Sequence, residues 1–179
     1  MDSIDLFKDS FDRVAEELPR LLEDLPADSL LRRAHVTGNP VAWLAWHIGR
    51  CEDAQMAALD DRTEVWDQGW RERFDLPYGP HDNGYGQTFE QVSRFQVTDA
   101  DLLTGYYAAV HEQTLGVLDA ERGKDLDRVI DAAWDPPVTA GARIVSVVND
   151  VTQHLGQIAY LHGLSSVRTN APAPTWERS

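Results

Sequence analysis

Apolar residues recur at spacings of three and four along four stretches of the chain, and each stripe predicts one face of a helix. In the first, Ile4, Phe7, Phe11, Val14, Leu18, Leu21 and Leu25 form one continuous stripe that Pro26 closes. The second starts at Asn39-Pro40, a good N-cap followed by a proline at the first helical position. Its seam reads Leu44, His47, Cys51, Ala54, Ala58. The third starts at Thr98-Asp-Ala-Asp101, which has the form of a capping box with Asp in the usual Glu place. Leu103, Tyr106, Val110, Gln113 and Val117 follow, and Gly123 suits the stop. The fourth begins near Thr139, after Pro136-Pro137, with Ile144, Val147, Val151, His154, Ile158 and Leu161 on its seam and Gly163 as the stop. The pattern predicts no strand and no internal repeat.

Four amphipathic helices that cannot bury their stripes alone predict an all-α four-helix bundle over residues 1–164. The first connection, about 26–38, is short. The segment of about 61–97 between helices two and three is long, carries Trp66, Trp70, Phe74, Tyr78, Phe89 and Phe95, and has glycines at 69, 79, 84 and 86. A connection of that length has structure of its own or acts as a lid, and Thr88–Phe95 suits a short helix. Residues 165–179, with Ala171-Pro-Ala-Pro174, read as an extended tail.

Composition narrows the function. A net charge of −14 argues against a nucleic-acid surface, because binding a polyanion needs a basic patch. No apolar run approaches the ~20 residues that span a bilayer. The acidic start, Met-Asp-Ser-Ile-Asp, lacks the form of a signal peptide. A single cysteine, Cys51, excludes an internal disulfide and fits a reducing cytoplasm.

The chemistry lies in the seams. Asp150 and His154 are four apart and share a helix face, where a bland sequence would place Leu or Val. His47 holds a seam position on another helix. One such residue alone is more often a satisfied core group. Together, two imidazoles and a carboxylate facing a bundle core suggest a metal site. Three protein ligands leave a position open for water or substrate, and the donors suit zinc, nickel or iron(II). Trp43, Trp46, Arg50, Tyr106 and His111 are candidate substrate-binding residues. Packing is the alternative for the tryptophans, and a surface ion pair for Arg50. Cys51 reads as a small core residue.

The string Val148-Asn-Asp-Val-Thr-Gln-His-Leu-Gly-Gln-Ile-Ala-Tyr-Leu-His-Gly163 resembles the last bundle helix of the DinB/YfiT-like superfamily of metalloenzymes. Asn39-Pro-Val-Ala-Trp-Leu-Ala-Trp-His-Ile-Gly-Arg50 resembles its second helix, and the resemblance runs over about residues 5–164. It implies a mononuclear metal held by His47, Asp150 and His154. Many members have histidine where this chain has Asp150; the mycothiol-dependent maleylpyruvate isomerase branch has an acidic residue there. The resemblance implies a thiol-dependent S-transferase or isomerase acting with mycothiol or another low-molecular-weight thiol on an electrophilic substrate, and a possible homodimer. A metal-dependent hydrolase, a non-haem iron oxygenase and a non-catalytic binding or dimerisation module are the alternatives.

Overall fold

The computed structural model describes residues 1–23 and 25–170, with 165–170 described by backbone alone. Helix α1 spans Ser3–Glu23. It starts on a reciprocal cap, in which the Asp5 amide donates to the Asp2 carboxylate at 3.0 Å and the Asp2 amide to Asp5 at 2.9 Å. A single turn, α2, spans Ala27–Leu30, and α3 spans Val41–Leu59. The long connection then holds a 3₁₀ turn at Val65–Asp67, α4 at Trp70–Phe74 and α5 at Phe89–Val92. Helix α6 spans Ala100–Glu121. Strands β1 (Val129–Asp131) and β2 (Val138–Thr139) pair antiparallel with a bulge between Val129 and Asp131. Helix α7 spans Ala140–Asn170.

The predicted four-helix bundle is present. Helices α1 and α3 each pack against both α6 and α7, so they occupy opposite corners. The α1 stripe buries Ile4, Phe11, Val14, Leu18 and Leu21 as read, with Phe7 and Leu25 partly buried against the core. Helix α3 is different. Every residue from Val41 to Arg50 is buried, because the long connection covers the side that a four-helix bundle would leave to solvent. A helix buried all round carries a weak periodic signal. The α3 seam therefore drifts toward its end, where Met56, Ala57 and Leu59 are buried and Ala58 is exposed.

The connection is a packed layer rather than an open loop. Trp46 of α3 meets Trp66, Tyr78 and Phe95 with ring centroids 6.3, 5.4 and 5.6 Å away. Tyr106 of α6 meets Trp66, Trp70 and Phe74 at 5.4–5.6 Å. Burying an aromatic side chain of this kind contributes on the order of 1.5–3 kcal/mol, enough to order several loop residues. Thr88 caps α5 with a full capping box through Gln91, as the short helix predicted there requires.

Four sequence expectations are corrected. The N-cap of α6 is Asp99, whose carboxylate accepts from the Leu102 amide at 3.0 Å, one residue later than read. Gln113 is half-buried at the edge of the α6 seam and donates to the Thr63 carbonyl at 3.2 Å; Thr114 takes the buried place. Two strands exist where none was expected. They are two and three residues long, too short to show an alternating pattern, and are tied to α7 by the Ala140 and Gly141 amides bonding Arg128 and Leu126 carbonyls. Helix α7 runs past Gly163 to Asn170, so the extended tail expected from Ser165 begins as helix; Ala171-Pro-Ala-Pro174 lies outside the described residues. Among the described residues, no helix is long and apolar enough to cross a membrane.

Candidate metal centre

His47 is held from outside its own helix. Its Nδ1 donates to the Asn83 carbonyl at 2.5 Å, which fixes the tautomer and leaves Nε2 as the acceptor nitrogen. Trp43, one turn earlier, stacks on the ring at 4.7 Å with a 17° tilt and donates its indole N–H to Gln87 at 2.9 Å. Gly84 follows Asn83 with φ +92°, and a Cβ there would lie 2.8 Å from His47 Nδ1 and 2.7 Å from the Trp43 ring. Only glycine combines that backbone angle with that approach. Burial lowers the His47 pKa, with the neighbouring His154 acting in the same direction against the Asn83 bond, so the ring is kept neutral, the form that ligates a metal.

Helix α7 brings up the other half. His154 Nδ1 lies 2.8 Å from the backbone carbonyl of Asp150, which makes Nδ1 the donor and leaves Nε2 free. The His47 and His154 rings meet edge to face, centroids 4.7 Å apart. The Asp150 side chain is 38% exposed, yet its Oδ2 atom is buried 3.6 Å from His154 Nδ1, with no hydrogen-bond partner among the described residues. Nor does Asp150 pair with Arg143, whose charged neighbour is Asp131 at 3.7 Å.

Cys51, expected as a small core residue, also stands among these donors. It sits one turn after His47, with Sγ 3.5 Å from both ring nitrogens. Donor atoms of His47, Cys51 and Asp150 lie within 4.8 Å of one another, and His154 stands against the same His47 ring. The signal was available: His47 and Cys51 repeat the four-residue spacing of Asp150 and His154. Burial, reinforced by the Asp150 carboxylate, pushes the Cys51 thiol well above its ordinary pKa, so without a cation it stays protonated. An orphaned carboxylate oxygen beside a neutral imidazole and a thiol suits a divalent transition metal, whose charge would reverse that shift.

Cys51 and Asp150 line a cleft of about 290 Å³. Its walls are Asn83 and Tyr85 from the long connection, Trp134 and Val138 from the β-hairpin, and Arg143, Ser146 and Val147 from α7. Trp134 is 65% and Tyr85 88% exposed, large aromatic surface left at the rim. No periodic signal marks these residues, because they come from loops.

The proposed pocket residues are placed elsewhere. Trp43 supports His47 without lining the cleft, and Trp46 is buried in the aromatic layer. Arg50 is no surface residue: it is 0% exposed, 2.9 Å from Glu64 and 3.4 Å from Asp53, and bonds the Asp82 carbonyl at 3.3 Å and the Tyr106 hydroxyl at 3.3 Å. Tyr106 in turn donates to Asp53 at 2.9 Å. His111 pairs with Asp12 of α1 at 3.0 Å, outside the cleft.

The comparisons with known proteins agree with this architecture. No curated protein matches the chain. The crystal structure of a conserved protein from Enterococcus faecalis superposes with a TM-score of 0.85 at 31% identity, over 92% of this chain and 97% of that one. A sequence profile described as the DinB superfamily matches residues 10–158, a span that takes in part or all of each of the four long helices and His47, Cys51, Asp150 and His154. By that match and by its bundle, the chain belongs to the DinB superfamily.

Proposed function

We propose that the protein is a divalent-metal-dependent enzyme that activates a low-molecular-weight thiol, of the mycothiol type, for S-transfer or isomerisation of an electrophilic substrate. The observation that carries this reading is the buried Asp150 oxygen, without a hydrogen bond, facing His47 and Cys51 in the lining of a cleft. His47 Nε2, His154 Nε2, the Asp150 carboxylate and the Cys51 sulfur are the donors offered to zinc, nickel or iron(II), with zinc favoured by a sulfur donor. A metal bound there supplies Lewis acidity and stabilises a thiolate at neutral pH. The protein's own part is positioning. Asn83 holds the His47 tautomer, Gly84 lets the loop close on that ring, and the aromatic rim shelters an apolar electrophile from water. The acidic ligand, as in the mycothiol-dependent branch, supports the choice of thiol. A lone free cysteine fits a reducing cytoplasm.

Metal analysis of protein purified without an affinity tag or chelator tests the reading. It is expected to give about one equivalent of transition metal, lost in His47→Ala and His154→Ala. Less than about a tenth of an equivalent, unchanged after zinc or nickel is added, would remove it. Metal-loaded protein that neither binds nor consumes a small thiol would leave the site and remove the transferase.

A further inference from the structure

We infer that the cleft binds its ligand by a carboxylate, and that Arg143 is the residue that selects it. The proposal rests on the reading above only for where the reacting group sits. Arg143 is the one cation among the residues lining the cleft, in a molecule of net charge −14. It is 19% exposed; its Nη1 donates to the neutral side-chain oxygen of Gln55, and its Nη2 is ion-paired with Asp131 at 3.7 Å, too long for a hydrogen bond, so donor capacity is left on the guanidinium. A planar guanidinium in that state is suited to a bidentate carboxylate.

Position reinforces the assignment. Arg143 lies in the first turn of α7, and Ser146, in the next turn, adds a hydroxyl to the cleft lining. Asp150 is two turns further on, about 10 Å along the axis. Between them on the helix is Val147, and Val138 and Trp134 from the hairpin line the same cleft. Cation, apolar span and metal-type donors thus follow one another along a single helix face. That order fits an organic acid with an apolar body, its carboxylate at Arg143 and its reacting end toward Cys51 and Asp150. The hairpin that the sequence pattern hides is what builds this specificity, since its ties to Arg128 and Leu126 fix the start of α7.

The test is binding without turnover. Chelator-treated protein is titrated with 4-phenylbutanoate and with neutral 4-phenylbutanamide, followed by ligand-observed NMR. The acid should bind at least about tenfold more tightly than the amide, as expected when a charge-assisted pair is lost. Arg143→Gln should bring the acid down to the amide's level, and Arg143→Lys should keep part of the preference. Trp134→Ala, a change at an exposed loop residue, should weaken both probes alike and keep their ratio. Equal or undetectable binding of the two probes overturns the proposal, as does an acid preference that survives Arg143→Gln. A preference that appears only after zinc is added and survives Arg143→Gln places the carboxylate on the metal donors; it removes this proposal and leaves the metal reading intact. A preference that depends on Arg143 in protein that never takes up metal does the reverse.

Discussion

The two sides of α3 carry polar clusters of opposite character. Toward α6 and the long connection, Asp53 accepts from the Val65 and Trp66 amides at 2.8 Å each and from Tyr106 at 2.9 Å, while Arg50 reaches Glu64, Asp82 and Tyr106. Burial still pushes the Asp53 pKa up, against the two backbone bonds that pull it down. Toward α7, donor atoms of His47, Cys51 and Asp150 converge, His154 stands against the His47 ring outside that group, and one carboxylate oxygen is left without a hydrogen bond. The first cluster carries its own cation, Arg50 lying 2.9 Å from Glu64, although Arg50 Nη2 and Glu64 Oε2 lack a well-aligned hydrogen bond. The second sets Asp150 against imidazoles and a thiol, with no Arg or Lys paired to it among the described residues, an arrangement that a cation from outside would complete. The first fastens the connection near residues 64–66 and 82, and Asn83 and Gly84, the next residues along, are those that orient His47.

The largest effect should come from the side that carries its own cation. Arg50→Ala leaves Asp53 and Glu64 without their cation and frees the Asp82 carbonyl. Breaking a buried pair in this way costs about 3–5 kcal/mol, to be read from urea unfolding. Arg50→Lys should not restore it, because an ammonium cannot reach Glu64, Asp82 and Tyr106 with separate nitrogens. A loss under about 1 kcal/mol would break the comparison, since this cluster would then not be structural.

Glu52, on the same side of α3, sharpens the comparison by pH. It is fully buried, accepts from Tyr107 at 2.8 Å, and burial raises its pKa to about 7 against an ordinary 4.5. A folded pKa above the unfolded one gives stability that is present below pH 4.5 and is lost as pH rises to about 7. Over that interval the loss amounts to about 3 kcal/mol. Glu52→Gln should remove this slope while leaving metal content alone. An unchanged stability-versus-pH curve in the variant would show that Glu52 already ionises freely in the folded protein.

Gly84 links the two sides. Alanine there meets Trp43 and His47 in a backbone region that disfavours side chains, at a cost of about 1–3 kcal/mol. Because the clash falls on His47, metal affinity should fall along with stability, as in loss of a residue that orients a ligand. A variant destabilised to that degree with metal affinity unchanged would separate the loop from the site.

How much of this was legible depends on whether a residue's role is local. Helix stripes are local, so the buried positions of α1 and of the α7 seam are legible residue by residue. Helix α3 was harder, since burial on all sides erases periodicity; Glu52 and Asp53 look like surface residues in the sequence because their partners lie 12 to 55 positions away. Arg50 was misread for the same reason. Cys51 is a different case. Its spacing from His47 was visible, but a small apolar residue is the ordinary occupant of such a seam, and only the approach of α7 gives the thiol a second meaning. The cleft walls from the hairpin and the 83–85 loop had no pattern to read at all.

The smallest expected change in stability is the most informative about the comparison. Asp150 is conspicuous as a ligand and lightly held as a structural residue: its Oδ2 has no hydrogen bond among the described residues, its carboxylate meets the Cys51 thiol, and His154 Nδ1 is 3.6 Å away. Removing it should therefore cost the metal-free protein less than about 1 kcal/mol, and the better helix propensity of alanine offsets part of that. The effect of added metal should be the opposite. Zinc at a hundredfold excess over its Kd stabilises the parent by about 2.7 kcal/mol through linkage, and the Asp150→Ala protein should lose most of that gain. Thermal unfolding with and without zinc measures both quantities in one experiment. A variant that unfolds several kilocalories more easily without metal would make Asp150 a structural residue like Asp53, and the two sides of α3 would then be alike. A near-silent change that abolishes the metal response identifies a carboxylate kept for what it binds.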